Sequence, residues 1–486
     1  MGTVKIPAEQ SMLIGGERVA AHDGRTLETT NPATGEVLAT IPRGGEADVE
    51  DAVRVASQAF PAWRDKPPVE RVAALNALAD RIEENAEQLG LIDVAENGSP
   101  IREMRKDAWV AAWLIRHLAG LTLRVCGETM PSDPTRFNFS MLQPFGVVGR
   151  IIPFNHPVLF AASRLAAPLA VGNTVVMKPS EYTSISALSV AELANEVLPP
   201  GVFNVVTGLG RESGDAIVRH PLVRRLAFTG AADTGLSIQA SAAAVAVKTL
   251  TLELGGKNPI VVLPDADLDE AVDGAVRGMN FTWQGQSCGS TSRLLVHSSL
   301  REEFVGRLAE RLEAMIAGAP DQLSTDTGSM VNRTQYDKVL SYLEIAKSDG
   351  ARVVTGGEPA DVPDLPHGLF FRPTLLEDVR PDHRVANEEI FGPIMVTIPF
   401  DTPDEAIQIA NGVIYGLTAS VYTRDLALAH RFARELQAGM VWINDSSSHI
   451  PGMSFGGVKD SGVGREESFD ELLSYTQSKS VTMRFA

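Results

Sequence analysis

The sequence predicts an α/β protein built on a parallel sheet with crossover helices, and three observations carry that reading. From Gly146, β-rich apolar runs alternate with helical patterns over some 100 residues, the signature of βαβ units in a Rossmann-like nucleotide domain. A second α/β series begins after Gly255-Gly256. The chain has 486 residues, 44% apolar and 21% charged, ample to bury large cores, and at roughly 150 residues per domain about three domains are expected.

The elements follow in order. Asn31-Pro-Ala-Thr-Gly-Glu36 reads as a turn between two short extended runs. Helical spacing dominates from Glu46 to about Arg116, with Val49, Ala52, Val53 and Ala56, then Val72, Leu75, Leu78 and Ile82, in steps of three or four. Strands are expected at 147–152, 173–178, 202–207 and 224–229, the last ending at Gly230. A helical stretch starts at about Ser163, another covers Thr183 to Val197, and a third follows the glycine-rich segment Gly208 to Gly214. The second series comprises strands at 259–263 and 292–296 and helices from Leu268 and Leu300. A strand at 439–444 and a glycine-rich bend at Gly456-Gly457 and Gly462 complete it. The tail Ser478 to Phe485 reads as an exposed edge strand, an element that needs a partner and suggests a subunit contact.

Composition excludes several classes. Lys plus Arg is 43, Asp plus Glu is 61, and the net charge is −18, which opposes nucleic acid or anionic membrane as the main partner. Met1 to Ser11 lacks the apolar run of a secretory signal, and Ile6 stands where myristoylation needs Ser or Thr. The most apolar stretch, Val158 to Met177, is interrupted by Arg164, Pro168, Gly172 and Asn173, against a membrane span. Two cysteines, Cys126 and Cys288, make no disulfide framework and fit a reducing cytoplasm. No His/Cys/Asp/Glu cluster has metal-ligand spacing, so no metal is expected.

Five local features could carry chemistry. Cys288 lies in Gly285-Gln-Ser-Cys-Gly289, a small, polar loop that suits a reactive thiol, with a buried structural thiol as the alternative. Glu253 stands between leucines in Leu252-Glu-Leu-Gly-Gly-Lys257. An apolar setting raises a carboxyl pKa toward that of a general base, and a solvated Glu is the alternative. Asn155, in Pro153-Phe-Asn-His-Pro157 just past a strand, could donate to an oxyanion or merely form a turn. Lys178 and Glu181, at the next strand end, could hold ribose hydroxyls or belong to a charged loop. The glycine loops Gly208 to Gly214 and Gly230 to Gly235 suit a pyrophosphate at a helix start, though neither has the common dinucleotide spacing.

In joint order and spacing these motifs resemble the NAD(P)-dependent aldehyde dehydrogenase superfamily. The resemblance runs from Asn31–Glu36 through Pro153-Phe-Asn155, Lys178-Pro-Ser-Glu181, Phe228-Thr-Gly230, Glu253–Lys257 and Gly285-Gln-Ser-Cys288. It continues through Glu388-Glu-Ile-Phe-Gly-Pro393, Trp442-Ile-Asn444, Phe455-Gly-Gly457 and Ser461–Glu466. The resemblance implies Cys288 as nucleophile, Asn155 with the Cys288 N–H as oxyanion donors, and Glu253 as the base that hydrolyses the thioester. Relatives that pass the acyl group to coenzyme A lack this glutamate. Such an acylating semialdehyde dehydrogenase, or a catalytically silent relative acting as a binding protein, is the rival reading. Glu466 matches a second base or proton relay.

The resemblance also implies where NAD lies: over Ile151, Ile152, Pro153 and Phe154, with Lys178 and Glu181 at the adenosine ribose and Gly210 and Gly214 by the adenine. Phe228 and Gly230 match the pyrophosphate, and Leu254, Glu389 and Phe391 the nicotinamide end. Glu181 would repel a 2′-phosphate and so favours NAD over NADP, an argument weakened by Lys178. Ala231 departs from the serine common there, at the loss of about 1 kcal/mol of phosphate hydrogen bonding.

Gap-free counting puts His156, Leu159, Phe160, Ser163, Thr282, Ser287, Gly289, Ser447, His449 and Phe455 on the substrate wall. Small polar residues and two histidines imply a roomy, polar pocket for an aldehyde bearing a ring, hydroxyl or carboxylate. Betaine aldehyde is disfavoured for want of an aromatic cage. The expected organisation is a dinucleotide domain over 1–125 and 145–255, a catalytic domain over 256–460, and a β-arm at 126–144 that joins 461–486 to bridge a homodimer or homotetramer.

Overall fold

The computed structural model describes residues 4–450 and 452–485, and its core is two mixed α/β sheets. In the first, five parallel strands run in the order Phe203–Val205, Thr174–Lys178, Val147–Ile151, Val223–Thr229 and Thr249–Glu253. Antiparallel edges flank them. The hairpin Met12–Ile14/Glu17–Val19 caps one side and Gly462–Val463 the other. That hairpin was not expected, although its turn is Gly15-Gly16, both at positive φ, the chemistry of a two-residue hairpin loop.

The second sheet has seven strands. Arg352–Thr355 runs antiparallel at one edge, and Thr374–Glu377, Ile394–Phe400, Arg293–His297, Pro259–Val262, Thr418–Tyr422 and Met440–Ile443 are mutually parallel. Strands buried on both faces read as continuous apolar runs. One such run is Ile260, Val261 and Val262, all fully buried.

Helical spacing between 46 and 121 resolves into four helices, Glu46–Arg64, Pro68–Glu84, Ala86–Asn97 and Ile101–Leu121. Leu75, Leu78, Ile82, Ala108, Ala111 and Ile115 fill one core against the first sheet, each large side chain worth roughly 1.5–3 kcal/mol of burial. The third helix ends at Gly98 (φ +82°), where a Cβ would fall 2.2 Å from Ser329 Oγ, so only glycine fits the cap. The stretch expected from about Ser163 instead starts at Pro157 and breaks into Pro157–Ser163 and Ala166–Ala170. Pro168 has no N–H for the Arg164 carbonyl, and its ring would clash there.

The tail forms Thr476–Arg484, which pairs antiparallel with Arg136–Pro144 from Thr476↔Pro144 to Arg484↔Arg136. With Thr129–Asp133 these make a three-stranded sheet whose two edges are the tail strand and Thr129–Asp133. Phe137, Met141 and Met483 are exposed on it. Among the described residues no helix is long and apolar enough to cross a membrane.

Candidate active site

Four adjacent strands of the first sheet end in a row. Lys178 pairs with Ile151, Ile151 with Phe228, and Thr229 with Glu253. Ligands of open α/β sheets gather at such carboxyl ends. Lys178 is buried and its Nζ lies 3.3 Å from Glu181 Oε2. Burial lowers the Lys178 pKa, and Glu181 works against that. Gly214 sits in van der Waals reach of Lys178 Cδ and Ile151 Cδ1, and Gly230 lies on the Phe228 ring, where a Cβ would come within 2.4 Å. Phe154 stands edge-on to both Tyr182 and Phe391, 6.4 and 5.8 Å between centroids. Ala231 precedes the helix Ala232–Ala243 and supplies no side-chain cap.

Glu389 closes the other end of the row. Its Oε1 accepts from Gly256 N at 3.0 Å, and its carboxylate lies where a Gly255 Cβ would be. Burial raises its pKa, opposed by Lys338 and Lys257. Gln335 Nε2 donates to the carbonyls of Ile390 and Phe391, 2.8 Å each, and so holds Phe391 at φ +59°.

Cys288 follows the 3-10 turn Phe281–Trp283. Its carbonyl accepts from Asn258 Nδ2 at 2.7 Å, and Asn258 Oδ1 in turn accepts from Thr418 N. A Cβ on Gly256 would come 2.8 Å from that carbonyl, so the glycine pair lets this loop approach the Glu253 strand. The residue is partly exposed, yet desolvation pushes its thiol up to about 12, with the charges of Glu253 and Glu389 adding to it. Glu253 is 4% exposed and neither carboxylate oxygen takes a hydrogen bond among the described residues. Burial first, then the charge of Glu466, holds it well above the ordinary carboxylate range, while Arg164 and Arg465 pull it down. A bare carboxylate within electrostatic reach of a protonated thiol has the make-up of a general base and a nucleophile.

Asn155 is buried, and its Oδ1 lacks a partner among the described residues. Its loop is fastened from behind: Asn97 Nδ2 donates to the carbonyls of Phe154 (2.7 Å) and Asn155 (3.4 Å), while Asn97 Oδ1 accepts from Ser99 N. If Asn97 acts by aiming the Asn155 amide, Asn97→Ala should lower kcat/KM about 10- to 100-fold. The Asn97→Ala/Asn155→Ala double variant should then lose no more than the worse single variant. Additive losses in steady-state kinetics would refute that coupling.

Behind Glu253 lies a buried ionic network. Arg150 Nη1 donates to Glu466 Oε1 and to Tyr475 Oη, 2.8 Å each, and Arg164 Nη2 lies 3.2 Å from both Glu466 and Glu467. Burial opposes ionisation of Glu466, but Arg164 and Arg150 together hold its carboxyl below the usual range. An ionised, doubly paired carboxylate is a poor proton acceptor and a strong local field. Glu467, at φ +68°, bonds His449 and is held down to about 2, with Arg164 and His449 outweighing burial.

The expected substrate wall divides. His156 is tied to Asp107, Nδ1 to Oδ2 2.7 Å, with its ring 5.7 Å from Phe160 and 5.4 Å from Trp283. Phe455 bridges to Glu466 through paired backbone hydrogen bonds and lies 4.9 Å from the His449 ring, which also meets Trp442. Ser447, at φ +59°, donates to Asn280 Oδ1. Thr282, Ser287, Gly289 and Leu159 lie on the same loops and helix. Ser163 differs from the expectation: it is buried and its hydroxyl donates to the Leu159 carbonyl at 2.6 Å, so it gives the wall space but no free polar group. Aromatic rings are also less scarce than expected, since Trp283 stands beside His156.

Sequence reasoning did not find Asp107, Trp283, Asn97, Asn258, Gln335, Arg150, Arg164 or Glu467. A sequence signal existed only for the arginines, rare charges inside apolar runs. Among the described residues, eight non-glycine residues have positive φ; Asn280, Gln284, Phe391, Asn444, Ser447 and Glu467 lie in the segments that build this site, as strained backbone tends to, while Asp378 and Lys459 lie elsewhere.

The arrangement is that of an α/β enzyme with a thiol and a carboxylate at the edge of a nucleotide-type sheet. Residues 19–481 match the model of the Aldehyde dehydrogenase family, and the chain belongs to that family. It is 41% identical to aldehyde dehydrogenase tropH of Talaromyces stipitatus over 464 residues, 94% of this chain and 90% of that protein. Hydroxyisobutyraldehyde dehydrogenase of Mycolicibacterium austroafricanum is 39% identical, covering 97% and 93%. An aldehyde dehydrogenase from Bacillus cereus, solved as its NAD+ complex, superposes with a TM-score of 0.95 at 40% identity, covering 98% and 97% of the two chains.

Proposed function

We propose that the protein is an NAD-dependent, hydrolytic aldehyde dehydrogenase that converts an aromatic or polar-substituted aldehyde to its carboxylic acid. The observation that carries this is the buried carboxylate of Glu253, which has no hydrogen-bond partner among the described residues and lies close enough to add to the upward shift that burial imposes on the Cys288 thiol. Lys178 and Glu181 would hold the adenosine ribose of NAD. Ile151, Ile152, Pro153, Phe154, Gly210, Gly214, Phe228 and Gly230 would form its bed, and Leu254, Glu389 and Phe391 would surround the nicotinamide. Glu181 favours NAD over NADP, since Lys178 is already engaged by it at 3.3 Å.

Attack by Cys288 on the aldehyde carbon gives a tetrahedral oxyanion that the Asn155 amide and the Cys288 N–H stabilise, each such donor worth roughly 3–4 kcal/mol. With the thiol pushed up to about 12, its proton must pass to a base as the C–S bond forms, and Glu253 takes it. The chemistry that bound NAD supplies is acceptance of the hydride given up by the tetrahedral carbon, which leaves a thioester on Cys288. Glu253 passes the thiol proton on to bulk water and, ionised again, removes a proton from the water that attacks the thioester carbonyl; the C–S bond then breaks, the acid leaves, and the sulfur takes that proton back from Glu253 as the thiol. Glu466 sets the field around Glu253 and is not itself the base.

The pH dependence has a definite sign. Only ionised Glu253 accepts a proton, and burial and Glu466 shift its ionisation upward from 4.5. Deacylation-limited kcat should therefore rise with pH across a limb lying above the ordinary carboxylate range, and Glu253→Gln should lose that limb. A flat wild-type profile from pH 5 to 9 would contradict the assignment.

The name of the hydroxyisobutyraldehyde dehydrogenase relative accords with a polar aldehyde. The dinucleotide part spans 1–125 and 145–255, the catalytic part 256–460, and the arm 126–144 with 461–486. The free edge and exposed side chains of the arm sheet suit pairing with a second copy in a homodimer or homotetramer. A cytoplasmic setting keeps Cys288 reduced. The test is NADH formation by purified protein with a panel of aldehydes, with and without coenzyme A. Turnover independent of coenzyme A is expected, and strict dependence on it would overturn the hydrolytic reading.

A further inference from the structure

The pair His156–Asp107 is used by none of the steps above. It stands where the two catalytic loops meet. His156 directly follows Asn155, and its ring packs on Trp283, five positions before Cys288, and on Phe160. Asp107 comes from the helix Ile101–Leu121 and is buried, its side chain 8% exposed against 15% for His156. The carboxylate accepts from Nδ1–H at 2.7 Å, which fixes the tautomer and leaves a lone pair on Nε2. Nε2 has no protein partner among the described residues and is not sealed from solvent.

We propose that His156 Nε2, fixed by Asp107, is a specificity-determining acceptor for a hydroxyl group on the aldehyde substrate. The assignment rests on the proposed aldehyde oxidation and narrows its substrate class. A hydroxyl hydrogen is the natural complement of that lone pair. A carboxylate is not, because a lone pair repels it and the Asp107 carboxylate stands 2.7 Å behind the same ring. The Phe160 and Trp283 rings pack on the His156 ring, and a substrate without the hydroxyl leaves Nε2 without this partner, which is the condition for discrimination.

The test compares kcat/KM for matched aldehydes in which hydroxyl replaces methyl, 3-hydroxypropanal against butanal and 3-hydroxybenzaldehyde against 3-methylbenzaldehyde, with 4-oxobutanoate as the carboxylate-bearing probe. Wild type should favour at least one hydroxyl partner by about tenfold. His156→Phe, which keeps a flat ring without an acceptor, should bring that ratio to about 1, and His156→Gln should restore part of it. Asp107→Asn should give an intermediate ratio, because the tautomer is no longer fixed. Each ratio is internal to one variant, so loss of folded protein does not alter it. A wild-type ratio near 1, a ratio unchanged in His156→Phe, or preference for 4-oxobutanoate over both hydroxyl partners would overturn the assignment while aldehyde oxidation stands. Absence of turnover with every aldehyde would overturn both.

Discussion

Glu253→Gln should release close to one NADH per site in a rapid burst and then turn over about 10²- to 10⁴-fold more slowly than wild type. The amide keeps the size of the carboxylate but cannot take a proton from water, so the thioester persists. Because Glu253 also takes the thiol proton, the burst should be slower as well, with its amplitude kept. Stopped-flow absorbance at the NADH band separates amplitude from steady rate. Normal steady turnover would remove Glu253 from the mechanism. The effect is large because no other group replaces it: Glu466 lies 3.2 Å or less from Arg164 and Arg150 and is held ionised as their partner.

Cys288→Ala should abolish both burst and turnover, a loss of about 10⁴-fold or more, because no bond to the aldehyde carbon can form without the sulfur. The loop itself should survive, since its anchor is the Cys288 carbonyl held by Asn258 and not the thiol. Nucleotide binding followed by tryptophan fluorescence should therefore persist in the variant. Residual NADH formation above a tenth of wild type would exclude Cys288 as nucleophile. Cys126, exposed by the arm, should tolerate the same substitution.

Legibility in the sequence followed distance along the chain. The strand ends carrying Ile151, Lys178 and Phe228 were readable because each sits at the end of an apolar run with a glycine or proline after it, whereas the strand Thr249–Glu253 was not read as one and only its glutamate stood out. The loop around Cys288 was readable for a similar reason, its small residues being contiguous. Partnerships were not readable. His156 meets Asp107 from 49 positions away and Arg150 meets Glu466 from 316, and nothing local marks either pair. Ser163 shows the converse limit. Its identity suggested a polar wall, but a serine inside a helix can bond the carbonyl four residues back, and this one does. The N-terminal hairpin was missed because its strands are three residues each, too short for alternation to stand out.

The proposed mechanism turns on a covalent acyl intermediate on Cys288 that Glu253 resolves. Intact-protein mass spectrometry of Glu253→Gln, quenched in acid after mixing with NAD and benzaldehyde, tests it most directly. A stoichiometric mass gain equal to a benzoyl group minus one hydrogen is expected, mapped to the peptide containing Cys288 and absent from the Glu253→Gln/Cys288→Ala double variant. NADH formation by Glu253→Gln with no adduct on that peptide would contradict it.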